Sequence, residues 1–434
     1  MVMRRVFNHH VCLCVLSTAI LAGLALMTSQ TKVYAQAKNC NGVVNGGGED
    51  DKSGLIMCDG GPEGSGRDGV LEGNRTIDMN VHPGVAVTIT GKNTKITIKS
   101  ELTVKDSKGS RSSNDNPAIK VDGGGELTVM NANVTGVKKG MEVSGLSSSV
   151  TVLQGTIGVR NGGGPVIEVS NNGEVTLMKG VTVTESGGSE GEVVIENGGT
   201  VQLNGQSFSN VAMGIVVKGG GKADVKGGGA TITVRQNGTG FKMEGSGTAN
   251  VMDMTINGSG GGGNRTGVEM GSTGTLTMTK VTLEQLETGA KVTKGTLELN
   301  GGSTINVKQG GTGLNVTGSG TVKLEGTEIQ VGAGATGVEV LSGTANVVST
   351  TITLQGDGSK GLVMKGGTAT VMGATITVGQ NGTGLVMSGG KVTMMSGEIR
   401  GSGGGTETGL SMTGRANVTL MGGRRLMLNR VGRE

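Results

Sequence analysis

Aromatic residues are almost absent from this chain of 434 residues, which has no tryptophan, one tyrosine and three phenylalanines. Proline is scarce as well, with four residues, whereas glycine accounts for 88. This composition is not that of ordinary globular domains, and the few prolines without a three-residue glycine period exclude collagen. The apolar residues are Val, Ile, Leu, Met and Ala, mixed with much Thr, and the β-branched residues among them favour extended chain. The glycines therefore punctuate strands and do not indicate disorder.

Long apolar runs are missing after the first 37 residues, which have the features of an export signal. Two arginines form a basic start, and an apolar run follows from Val11 to Met27. Ala35, or Ala37 as a second choice, then provides the small residue that a signal peptidase reads. The competing interpretation, a membrane anchor, is disfavoured because the run is marginal in length for a span. We predict a signal peptide over residues 1–37 and no integral membrane segment in the mature chain.

A large net charge is missing too. The formal charge of +4 at pH 7 falls to +1 for a mature chain starting at Gln36, because Arg4, Arg5 and Lys32 leave with the signal. A charge this small argues against a polybasic protein that binds nucleic acid or a membrane surface. We therefore expect no nucleic-acid partner.

Cysteine and histidine are too few for most metal sites. Cys12 and Cys14 leave with the signal, so the mature chain keeps Cys40 and Cys58, with 17 residues between them. Two thiols in an exported protein predict one disulfide, which stabilises by about 3 kcal/mol in the chain-entropy model. A structural metal site is the less favoured alternative, because His82 is the only mature histidine and no four-ligand set surrounds it.

The same scarcity argues against enzyme chemistry in the long part of the chain that follows His82. Without a histidine in the repeats, a serine-protease triad has no base. Aspartates are sparse in the repeated part of the chain from residue 116 onward, where they are Asp122, Asp224, Asp253 and Asp357. No two of these four are one repeat apart on the same strand, as a paired-carboxylate site would most simply require. An acidic calcium cluster facing a basic residue is not found either. We predict no catalytic residue, no cofactor, no metal and no enzyme activity.

What the sequence does contain is a repeat of about 24 residues. Residues 288–311, 312–335 and 336–358 each hold three short alternating patches separated by glycine turns. Period-two alternation places the apolar pair of each patch on one face of a strand and the polar residue between them on the other. In the first two copies the predicted inward pairs are Ala290/Val292, Leu297/Leu299, Ile305/Val307, Leu314/Val316, Val322/Leu324 and Ile329/Val331, and the second copy directs Asn315, Lys323 and Gln330 outward.

One copy cannot bury its apolar face, but stacked copies can, if each is one coil whose strands pair with those above and below. This predicts an all-β, right-handed parallel β-helix with three short strands per coil, the hand being the usual one for parallel crossovers. Propeller blades need about 40 residues per repeat, and the hexapeptide period of left-handed β-helices is not visible. About thirteen coils of ~24 residues follow, opening near Asn116, Lys139, Pro165, Gly191, Met213, Thr239, Thr266, Thr288, Thr312, Thr336, Ser359, Thr383 and Thr408.

Methionine and Asn-Gly pairs fit this architecture. Nineteen of the 22 methionines follow the signal, and we interpret inward ones such as Met243, Met364 and Met387 as flexible core filler, in preference to a metal or redox role. Ten Asn-Gly pairs, including those at Asn237 and Asn381, provide the left-handed backbone that tight corners require.

The chain divides into three parts. After the signal, residues 38–115 are predicted to form an N-terminal cap that carries the disulfide and the first irregular coils. Residues 116–434 form the β-helix repeat domain. At its end, alignment of glycine pairs places Leu426 and Leu428 where Ile305 and Val307 lie in an earlier copy, which predicts a final strand.

These features resemble the passenger domains of autotransporters, the type V secreted proteins of Gram-negative bacteria, which include pertactin-like right-handed parallel β-helices. The resemblance is carried by the signal ending VYAQA, the early cysteines in KNCNGVV and LIMCDGG, and repeats of the form TGLxVxGxGTxxxxxxTIxV. It is strongest with repeat-rich passengers of α-proteobacteria that live in host cells and blood. It implies an exported, adhesin-like protein at the cell surface or secreted, with a host cell-surface or matrix component as its partner.

The chain departs from that family in lacking the C-terminal β-barrel translocator, so we expect a periplasmic protein if no translocator acts in trans. We expect a monomer that binds through its long flank. Outward charges such as Lys323, Glu298, Glu339, Lys365 and Lys242 are candidates for that flank, although single charges of mixed sign are most often solubilising. A polysaccharide-acting β-helix enzyme and a non-functional remnant of a longer autotransporter are the alternatives.

Overall fold

The computed structural model describes residues 53–60, 67–184, 191–260, 263–403, 406–421 and 432–433. The chain is an all-β parallel β-solenoid of ~14 turns with ~24 residues per turn, which confirms the predicted fold class. Over the described residues, a short 3-10 turn at Gly109–Arg111 is the one helical element. None of these residues belongs to a helix long and apolar enough to cross a membrane. The right-handed sense of the coil stays a prediction.

The strands follow one another with short connections. The first seventeen are β1 (Ile56–Cys58), β2 (Arg67–Leu71), β3 (Arg75–Asp78), β4 (Val87–Thr90), β5 (Thr94–Lys105), β6 (Pro117–Asp122), β7 (Glu126–Val137), β8 (Lys139–Ser144), β9 (Ser149–Val159), β10 (Ile167–Ser170), β11 (Gly173–Thr184), β12 (Val193–Glu196), β13 (Gly199–Gln202), β14 (Ser207–Lys218), β15 (Lys222–Met243), β16 (Thr248–Gly258) and β17 (Thr266–Met270). The others are β18 (Thr275–Val292), β19 (Thr296–Asn300), β20 (Thr304–Val316), β21 (Thr321–Glu325), β22 (Glu328–Val331), β23 (Thr336–Val340), β24 (Thr344–Val348), β25 (Thr351–Leu354), β26 (Lys360–Met364), β27 (Thr368–Met372), β28 (Thr375–Val378), β29 (Thr383–Met387), β30 (Lys391–Met395), β31 (Glu398–Gly401), β32 (Thr408–Met412), β33 (Asn417–Met421) and β34 (Gly432–Arg433).

Each coil contributes one strand segment to each of three faces. Face A contains the C-terminal part of β20 and β23, which pair in parallel with Leu314 opposite Val338. Face B contains β21 and β24, and face C contains β22 and β25, both also parallel pairs. A segment on any face therefore lies between the equivalent segments of the preceding and following coils.

The register of face A agrees with the predicted coil openings. Thr288 is opposite Thr312, and Thr312 is opposite Thr336. Thr239 and Thr266 are partners in the same column. Because the repeated residues are the ones that pair, the sequence period is the length of one turn.

The core is built from columns of like side chains. On face C, five isoleucines stack in register, and all are at most 2% exposed; they are Ile305, Ile329, Ile352, Ile376 and Ile399. Every inward pair predicted from the alternation is buried, with Val307 the most exposed at 7%. The predicted inward methionines, Met243, Met364 and Met387, are buried as well. Full burial of each large side chain contributes roughly 1.5–3 kcal/mol, which is why a stack is stable where a single coil is not.

The corners differ in one respect from the prediction. Asn237 and Asn381 have φ of 60° and 54°, as expected for left-handed corner residues. However, several strands are not short segments separated by turns, because β15 and β18 run through corners without interruption. One or two left-handed residues redirect the chain at each of these corners, Gly228 and Gly229 in β15 for example, and pairing with the next coil resumes after them.

The stack extends into the predicted cap. β1 and β4 pair in parallel, and Cys58 occupies an inward position of β1. Cys58 is disulfide-bonded and 1% exposed. Its expected partner Cys40 lies outside the described residues, so the pairing stays a prediction. The same holds for the cleavage-site residues Ala35 and Ala37 and for the final strand at Leu426 and Leu428.

Candidate functional site: the outward faces of the coils

The charged residues proposed for the flank do lie outward, but they pair with each other. Lys323 Nζ is 2.8 Å from Glu298 Oε1 on the next strand of face B. On face A, Lys365 Nζ lies 2.7 Å from Glu339 Oε1. Lys242 contacts Glu244 on its own coil at 2.6 Å. Because each pair joins a positive and a negative group, the flank carries no concentrated charge of one sign. Exposed pairs like these contribute about 0–1 kcal/mol each to stability.

One charged cluster is more deeply placed, at the corner between faces C and A. Glu287 accepts hydrogen bonds from the backbone N–H of Arg265 at 2.8 Å and from its Nη1 at 3.1 Å. Lys308 Nζ contacts the same carboxylate. Burial by itself would raise the pKa of Glu287, but the hydrogen bonds from Lys308 and the Arg265 backbone outweigh it and lower the pKa below 4.5. The cluster ties three successive coils together.

We expect Glu287→Gln to lower the free energy of unfolding by about 1–2 kcal/mol at pH 7, since a neutral amide is a weaker acceptor for two cations. Because the folded pKa is depressed, this stabilisation is complete above pH 4.5 and is lost as the pH falls through the folded value. Denaturation midpoints of both proteins, measured from pH 7 downward, should therefore converge in acid. A difference independent of pH would show that the charge of Glu287 is not what stabilises the corner.

The four aspartates of the coils do not form a site. Asp122 and Asp224 belong to faces A and B, whereas Asp253 and Asp357 lie at corners. Each of the first two has an ion pair with a lysine two residues earlier, and neither has another aspartate opposite it in the register. Where the chain is described, no group of three or more His, Cys, Asp or Glu could hold a metal ion.

The C-terminal coils instead leave a nearly uncharged area on face B, which we call the threonine–methionine patch. Its members are the outward residues of β24, β27, β30 and β33: Thr344, Asn346, Val348, Thr368, Thr370, Met372, Lys391, Thr393, Met395, Asn417, Thr419 and Met421. Lys391 is the one charged member. The four strands pair in register, so these residues form three columns. At ~4.8 Å per strand the patch spans about 14 Å along the solenoid axis.

No protein-family model matches the chain, and no curated protein matches it.

Sequence reasoning missed the patch because it assigned methionine to the core. Met372 and Met421 are 43% and 53% exposed, and Met395 is half-buried. The alternation of the strands indicates it, since Met372 and Met395 each follow a buried residue by one position and therefore lie on the outward face. Met421 is opposite Met395 in the register. Nearer the N-terminus, the same face carries charges such as Lys95, Glu126 and Asp224 on its outward positions, so the patch differs from the rest of face B.

Proposed function

We propose that the chain is an exported interaction protein, an adhesin-like passenger at the cell surface or secreted, which binds a host cell-surface or matrix component. The threonine–methionine patch is the observation that carries this proposal. The centres of protein interfaces are depleted in charged residues and enriched in methionine, and their rims are polar. The patch has that composition, and the paired charges of the preceding coils, Lys323 with Glu298, form a rim beside it.

Rigidity of the patch supports the same role. Parallel pairing fixes β27 and β30 against neighbouring strands on both sides, so Thr370 and Thr393 are held opposite each other before any partner binds. A surface ordered in advance loses less conformational entropy on binding than a flexible loop does. Threonine hydroxyls can both donate and accept hydrogen bonds, which suits either a protein or a glycan partner on the host surface.

The export signal and the passenger-like repeats support delivery across the inner membrane. The proposal includes a right-handed coil, as in the passenger domains that the repeats resemble. The protein acts as a monomer in this scheme. It reaches the surface through a translocator and stays in the periplasm if none acts in trans.

The test is binding of the purified full chain to cultured host cells and to immobilised matrix proteins, compared with the variant Thr370→Lys/Thr393→Lys. Two lysines at the centre of the patch add charge that must be desolvated on binding, so we expect most of the binding to be lost. Both threonines are half-buried on the outward face, and repulsion between two lysines on adjacent strands costs about 0.2–1 kcal/mol, so the fold should be retained.

The matched control is Thr200→Lys/Thr277→Lys, which places two lysines in the same column of face B outside the patch. Binding should survive in the control. Equal loss in both variants would show that net charge matters and the patch does not, and absence of binding by the unmodified chain would contradict adhesion. Release of reducing ends from an acidic polysaccharide would favour an enzyme instead.

A further inference from the structure

Three methionines of the patch form a continuous ladder on the surface. Met372 is opposite Met395, and Met395 is opposite Met421, on three successive strands of face B. Earlier outward members of this column are not methionine, with the exception of Met252, whose neighbours are Lys226 and Thr279. The ladder is therefore a local feature of three coils and not a consequence of the repeat.

Backbone hydrogen bonds at the corner fix the spacing of the ladder. The N–H of Ser349 donates to the Met372 carbonyl at 2.9 Å, and the N–H of Gly373 donates to the Met395 carbonyl at 3.1 Å. Both donors have left-handed backbone, with φ of 46° and 61°. Consecutive methionines are therefore one strand spacing apart, ~4.8 Å. Each side chain has three rotatable bonds, so neighbouring thioether sulfurs can converge on one point.

We infer that this ladder is a binding site for a soft monovalent metal ion, Cu(I) or its analogue Ag(I). Thioether sulfur is a neutral, polarisable ligand that selects Cu(I) over harder divalent ions. Solvent reaches the ladder, since Met372 and Met421 are about half exposed. Over the described residues, no group of three or more His, Cys, Asp or Glu offers a competing metal site. The metal site and the proposed host binding share the methionines of the patch, but the host-binding test substitutes threonines and the metal test substitutes methionines, so the two proposals can fail separately.

The probe is Ag(I), added to the full chain in chloride-free buffer after free thiols have been blocked with iodoacetamide. Methyl resonances of protein labelled with [ε-13C]methionine report which thioethers bind. We expect saturation at one ion per chain, with shifts confined to Met372, Met395 and Met421. Met395→Leu should abolish binding, because it leaves two sulfurs two strand spacings apart, roughly 10 Å. Met372→Leu and Met421→Leu each leave an adjacent pair and should only weaken binding.

The matched control is Met130→Leu/Met178→Leu/Met252→Leu, which removes three methionines that are 37%, 44% and 52% exposed but do not adjoin one another. Ag(I) binding should be unchanged in that variant. Retention of binding in Met372→Leu/Met395→Leu/Met421→Leu would overturn the inference, and so would shifts spread evenly over all exposed methionines. Loss of host binding with the leucine variants but no Ag(I) shift in the unmodified chain would identify the ladder as an apolar contact for a protein partner instead.

Discussion

Replacing both Gly313 and Gly361 by alanine is expected to lower the free energy of unfolding by about 2–6 kcal/mol, since each overpacked site costs about 1–3 kcal/mol and sites two coils apart add. These glycines are the second residue of the repeated opening on face A. A Cβ on Gly313 would clash with the carbonyl oxygen of Gly337, and one on Gly361 would clash with that of Gly384. Neither glycine has positive φ. Close approach of successive coils, and not backbone conformation, therefore requires glycine here.

The control for this variant is Gly220→Ala/Gly271→Ala. A Cβ on Gly220 would have Ser246 Oγ as its nearest neighbour at 3.5 Å, and one on Gly271 would have the Met243 carbonyl at 3.7 Å. Both distances are ordinary van der Waals contacts, so little change in the denaturation midpoint is expected. Similar losses in the two double variants would mean that glycine is needed for its flexibility and that crowding is not the cause.

The glycine column illustrates what sequence reasoning could and could not reach. The alternation at Leu314 and Val316 determines which residues face the core, because a strand has a side-chain period of two, and the burial of both confirmed it. The reason for the glycine before Leu314 was not accessible in the same way. It depends on how closely the next coil approaches, which is a distance between residues 24 positions apart in the chain.

It was harder still to predict which outward side chains of successive coils lie beside each other. Met372 is 23 residues before Met395, which is 26 residues before Met421, and yet the three pair in register. A strict 24-residue period would place these side chains in different columns. Corner connections absorb the difference in coil length, so an outward surface can be assembled only when the register of every coil is known. The inward pattern needs no such knowledge, since one strand is enough to define it.

The largest single-residue effect is expected for Phe241→Ala, which should cost about 3–5 kcal/mol of unfolding free energy. Phe241 is fully buried, between Ile215 and Val268 of the adjacent coils. Truncation would leave a cavity that rigid parallel strands on either side cannot close. Denaturant midpoints measure the loss, and Leu146→Ala is the control, because Leu146 is 76% exposed.

Hydrogen exchange of Phe241→Ala would also show how many coils the substitution destabilises. Each coil contacts only its neighbours, so stability is a sum of coil and interface terms. Backbone amides near Ile215 and Val268 should therefore exchange faster, while those of the isoleucine column near Ile376 keep their protection. Uniform acceleration over both regions would mean that the solenoid opens as one cooperative unit. In that case the threonine–methionine patch would depend on coils far from it, and a variant such as Phe241→Ala would weaken host binding without touching the patch.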